Sequence, residues 1–94
     1  MAVYRITRFT SVNMDRVIEK TTDMRNLLES IGAEFVDVVS DGRGTGMVIA
    51  KYRDSGTMEA ATSTAQKVFG KQIEEGIIDG TSLDIWSGEI VISF

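Results

Sequence analysis

Residues 34–53 read EFVDVVSDGRGTGMVIAKYR, and this stretch decides the architecture. Its first part, residues 34–40, alternates like a strand, with Phe35, Asp37 and Val39 on one side and Val36 and Val38 on the other. Asp41-Gly42-Arg43-Gly44 is turn chemistry, because aspartate and glycine tolerate a positive φ. A further β-rich run, Gly46 to Arg53, follows at once. Two strands joined by so short a turn must pair antiparallel, so the middle of the chain is a hairpin.

Upstream of the hairpin, Met14, Val17, Ile18, Met24, Leu27, Leu28 and Ile31 recur at helical spacing, with Ser11 or Asn13 available as an N-cap and Gly32 placed to end the helix. Before that helix, residues 2–10 (AVYRITRFT) are rich in β-branched and aromatic types and read as a strand. Downstream, Asp54 or Ser55 caps a second helix that carries Met58, Ala61, Ala65, Val68, Phe69 and Ile73. Gly70 is expected to kink or end it, and Gly76 and Asp79-Gly80 to break it finally. The tail, Ser82 to Phe94, alternates and is β-rich, with a bulge or short turn expected at Ser87-Gly88. The order is therefore βαββαβ, an α+β chain built on a split βαβ motif. Right-handed crossovers put both helices on one face of a four-stranded antiparallel sheet, with the first and third strands central.

The other face is then bare in a monomer. The pattern assigns Val36 and Val38, Leu83 and Ile85, and Tyr4 and Ile6 to the helix side. It leaves Phe9, Phe35, Val39 and Trp86, mixed with Arg5, Thr7, Asp37 and Asp84, on the open side. Several large aromatics on one exposed face imply a partner, and a second copy of the chain packed sheet to sheet would bury them. Residues 1–94 are accordingly expected to form one domain that homodimerises through its open face.

Several segments carry a family resemblance. They are Ile31-Gly32-Ala33 before a valine-rich strand, the hairpin Gly42-Arg43-Gly44-Thr45-Gly46, the strand end Lys51-Tyr52-Arg53-Asp54 and the helix start Ser55-Gly56-Thr57-Met58-Glu59-Ala60. The tail Trp86-Ser87-Gly88-Glu89-Ile90-Val91 belongs with them. Together these resemble the ferredoxin-like dimeric α+β barrel superfamily, which includes small stress-responsive and antibiotic-biosynthesis-monooxygenase-like proteins. The resemblance implies a homodimeric α+β barrel and is weak for activity, since such proteins include cofactor-free oxygenases, haem-degrading enzymes and isomerases. The haem-degrading branch relies on a histidine that this chain lacks.

Composition narrows the chemistry further. The 94 residues contain no cysteine and no histidine, which removes disulfides, thiolate and imidazole metal sites, thiol nucleophiles and the commonest general base. No acidic cluster has the spacing of an oxygen-ligand metal site, so neither a metal nor a cofactor is expected. The net charge of −4, with Arg5, Arg8, Arg16, Lys20 and Arg25 scattered among acids, argues against nucleic acid. No apolar run is long enough for a membrane span, and Met1-Ala2-Val3-Tyr4-Arg5 enters a strand without an apolar leader, so a cytoplasmic location is expected.

The glycine-rich run 42–46 opens a strand, whereas a phosphate-binding loop opens a helix, so it reads as a turn. The residues best placed to line a cavity are Arg5, Asp37, Tyr52, Phe69 and Trp86. Arg5 and Asp84 are expected to share a face, as a polar spot that orients a ligand or as an interface ion pair. Asp37 could act as a carboxylate base, but no histidine is there to partner it. The methionines at 14, 24, 47 and 58 read as core filler. The reading for function is a homodimer that binds a small apolar or aromatic molecule. The alternatives are a cofactor-independent monooxygenase or isomerase acting on a phenol or quinol, and a structural or regulatory dimer without a ligand.

Overall fold

Strand β1 (Val3–Thr10) opens the computed structural model, which describes residues 1–94, and is followed by helices α1 (Met14–Asp23) and α2 (Arg25–Glu29). The hairpin is β2 (Phe35–Ser40) and β3 (Thr45–Tyr52). Helices α3 (Ser55–Ala60) and α4 (Thr62–Glu74), a 3₁₀ turn at Gly80–Ser82 and β4 (Asp84–Glu89) complete the chain. The sheet order is β2-β3-β1-β4, all neighbours antiparallel, with β1 and β3 central as the order of elements requires.

The hairpin turns where the sequence places it. Gly42 and Gly44 have φ of 74° and 92°, and the Asp41 carboxylate accepts from the Arg43 and Thr45 amides at 2.7 and 3.2 Å. The Asn13 side chain caps α1 by accepting from Arg16 N–H at 3.2 Å. Asp54 caps α3 by accepting from Thr57 N–H at 2.7 Å, and this bond, with the Thr57 hydroxyl, holds its carboxyl below the usual carboxylate range.

Both helical segments are divided, and neither division falls on a glycine inside the helix. The first breaks at Met24, the second at Ala61. Gly70 continues α4 despite its poor propensity, because Phe69 and Ile73 on the adjoining turns pack against the core and hold the helix in place. Helix α2 is the weakest element: five residues, no side-chain cap and no buried residue.

The registers correct one face assignment. Val3, Arg5, Thr7 and Phe9 of β1 pair with Tyr52, Ala50, Val48 and Gly46 of β3 and face the helices. Tyr4, Ile6 and Arg8 face away, opposite to what the sequence pattern assigned. Alternation could not choose here, because each face of β1 carries both polar and apolar residues. The strand ends settle it: Val3 and Phe9 are buried, and the Phe9 ring lies over Gly46, where an added Cβ would stand 2.6 Å from it. No bulge forms at Gly88, which pairs with Tyr4 in unbroken register. That glycine instead makes room for the Trp86 ring, which a Cβ at 88 would meet at 2.5 Å.

The core divides into two clusters along β1. One gathers Val3, Ala50, Tyr52, Met58 and Ala61; the other gathers Phe9, Val17, Ile77 and Ile78. Between them, on the same face of β1, lie Arg5 and Thr7.

Candidate functional site

The gap between the two clusters is a cavity. Its floor is the helix face of β1, β2 and β3, and its roof is α4, whose Ala65, Val68, Phe69 and Gln72 share one stripe at spacings of three and four. Helices α1 and α2 close one side through Val17, Thr21 and Leu28. Its volume is about 50 Å³, lined by 17 residues of which 13 are hydrophobic.

The polar groups in this wall come from few residues. Arg5 donates through Nη2 to Thr62 Oγ1 at 2.9 Å, beside the start of α4, and has no carboxylate within ion-pair distance. Tyr52 is almost wholly buried; desolvation raises its phenol above the ordinary value, while the Arg5 guanidinium pulls the other way. Gln72, 2% exposed, donates from Nε2 to Thr21 Oγ1 at 3.2 Å, and its Oε1 is buried without a partner. The wall contains no aspartate, glutamate or lysine.

Outside the cavity, a groove of about 630 Å³ runs between α1, α2 and edge strand β2. Thr21, Leu28, Val36 and Val38 belong to both groove and cavity, so a single layer of side chains separates them.

The structure brings Arg5, Tyr52 and Phe69 together in this cavity. It does not bring Asp37 or Trp86, both of which point from the open face of the sheet. Arg5 and Asp84 therefore cannot pair; Asp84 stands opposite Arg8 instead. The sequence singles out neither Gln72 nor Thr21, and its pattern puts Thr7 on the open face, whereas Thr7 lines the cavity. Gln72 had a signal, since it continues the stripe Ala61, Ala65, Val68 at a position where an apolar residue is the norm.

The open face carries Tyr4, Ile6, Phe35, Val39, Met47, Ile49 and Trp86, together with Arg8, Lys51, Asp37 and Asp84. Tyr4 and Phe35 meet edge to face with ring centroids 6.1 Å apart. Trp86 is 60% exposed. On the other side of β4, Ile85 is also uncovered, and the tail beyond it leaves Val91, Ile92 and Phe94 in the open.

Neither a protein-family model nor a curated protein sequence matches the chain. Solved structures do. A protein of unknown function from Nitrosomonas europaea superposes with a TM-score of 0.78 at 11% identity, over 99% of this chain and 92% of that one. SnoaB, a cofactor-independent oxygenase from Streptomyces nogalater, gives 0.74 at 10% identity, over 98% and 95%. A dimeric ferredoxin-like protein of unknown function from Jannaschia gives 0.71 at 13% identity, over 96% and 100%. The chain thus has the ferredoxin-like α+β fold, and at these identities the likeness is one of fold. No helix is long and apolar enough to cross a membrane.

Proposed function

We propose that the protein is a homodimer, formed face to face through the open sheet, that binds a small, flat, mostly apolar molecule with an acidic or acceptor oxygen between its sheet and helices. The observation that carries the ligand reading is Arg5. Arg5 lines the apolar cavity, and its guanidinium has five N–H donors with one neutral hydroxyl and no carboxylate to answer them. A half-buried cation without a counter-charge is costly, and a ligand oxygen would relieve that cost.

The cavity, at about 50 Å³, is far below the several hundred Å³ usual for a ligand site. Binding therefore requires it to merge with the groove. Helix α2 is the element suited to yield, because it is uncapped and buries nothing, and Leu28, which divides the two spaces, sits on it.

The dimer reading rests on the open face. It presents large apolar side chains that a two-fold copy can bury, with Arg8, Asp37 and Asp84 among them and Lys51 already paired with Glu34 at 3.3 Å. Dimeric proteins of the same fold, such as the Jannaschia protein, support it.

Binding is favoured over catalysis because the cavity wall offers no carboxylate or histidine to take a proton, and burial keeps Tyr52 protonated. The test is a calorimetric titration with 2-naphthoic acid, an apolar plate with one carboxylate. Saturable binding that weakens at least tenfold in Arg5→Met is expected; no binding, or equal binding in the variant, overturns the reading. SnoaB is a cofactor-independent oxygenase, so oxygen uptake with an anthrone is the companion assay. Turnover that falls in Arg5→Met would make the site catalytic.

A further inference from the structure

We infer that Gln72 and Thr21 form a second polar subsite, at the end of the cavity away from Arg5, that takes a hydroxyl of the same ligand; this rests on the binding reading above. Gln72 is 2% exposed, lines the cavity, and leaves Oε1 with no hydrogen-bond partner. Thr21 has one hydroxyl, which answers one atom of the amide. Turning the amide by 180° would let Thr21 donate to the oxygen and would leave the NH₂ without an acceptor. In either orientation one amide atom lacks a partner. A hydroxyl, able to donate and to accept, satisfies both cases, whereas an apolar group satisfies neither.

The position of the subsite sets the ligand's form. Arg5 is tied to Thr62 at the first residue of α4, and Gln72 lies ten residues further along the same helix. At 1.5 Å per residue, residues 62 and 72 are about 15 Å apart along its axis, which sets the scale of a ligand that bridges the two ends. The wall between them is apolar, contributed by Ala65, Val68 and Phe69 of α4 above and Val48 of β3 below. The ligand is therefore two-ended: an acidic oxygen at Arg5, an apolar body under α4, and a hydroxyl at Gln72.

The probes are 2-naphthoic acid and 6-hydroxy-2-naphthoic acid, which differ only by a hydroxyl at the far end of the ring system. Calorimetry on the parent is expected to give a preference for the hydroxylated acid of about tenfold or more, since the hydroxyl answers a buried orphan group. In Gln72→Met, which keeps the length and removes both amide atoms, the ratio of the two affinities is expected to fall to about one. In Arg5→Met both affinities should drop while the ratio persists. Equal binding of the two acids by the parent, or a preference that survives Gln72→Met, overturns the second subsite and leaves the first standing. Binding of neither acid overturns both.

Discussion

Replacing Gln72 by methionine should make the protein more stable, which is unusual for the truncation of a buried polar network. The buried Oε1 has given up water without gaining a partner, at a cost of about 1–3 kcal/mol. Methionine removes that cost and also removes the single bond to Thr21, worth about 0.5–1.5 kcal/mol. The Thr21 hydroxyl is not stranded, because Thr21 also lines the open groove and can turn toward water. The net gain is about 1 kcal/mol, equivalent to a rise of about 4–8 °C in Tm for a chain of this size. The assay is urea unfolding of parent and variant at one protein concentration, since a dimer's midpoint depends on concentration. The variant's midpoint should rise with an unchanged slope. A loss of about 1 kcal/mol or more would refute the reasoning, because it would mean the amide is fully satisfied in solution by a resident water.

Three other outcomes follow from the packing and the open face. Gly46→Ala should cost about 1–3 kcal/mol through overpacking, as its Cβ would stand 2.6 Å from the Phe9 ring; in urea unfolding, Phe9→Leu in the same chain should recover part of the loss, and a neutral Gly46→Ala would contradict the packing. Tyr52 has a folded-state pKa above its unfolded value, so the stability it supports is complete below about pH 10 and declines as pH rises through the folded value. Unfolding free energies taken from neutral to alkaline pH should show that decline in the parent and a shallower one in Tyr52→Phe. Trp86→Glu places a charge on the exposed aromatic of the open face and should weaken the dimer at least a hundredfold in sedimentation equilibrium, with the circular dichroism of the fold retained; an undiminished dimer would contradict the face-to-face arrangement.

The fold was legible because its signals are redundant. The turn at Asp41–Gly44, the two amphipathic helical stretches and the order of elements all point to one topology, and the handedness of the crossovers then leaves little choice. The site was legible only in part. On β2 the valines at 36 and 38 separate cleanly from Asp37, and the face came out correctly. On β1, Arg5 and Thr7 interrupt the core-facing side because they border the cavity, and their polarity sent the assignment to the wrong face. That error moved Phe9 with them and suggested the pairing of Arg5 with Asp84. Phe69 and Tyr52 were found as aromatics inside apolar stripes. Gln72 sits on the buried stripe of α4 by spacing, but an amide by itself reads as solvent-facing, and the packing of α4 on the sheet decides in favour of burial. The helix breaks at Met24 and Ala61 have no local signal, since neither residue is a helix breaker.

Native mass spectrometry of the protein mixed with 2-naphthoic acid reads its assembly and its ligand in one spectrum. The expected species is two chains carrying two ligands, one per cavity, with the ligands lost in Arg5→Met and the dimer kept. A monomer, or a dimer that takes up no ligand at millimolar acid, would contradict it.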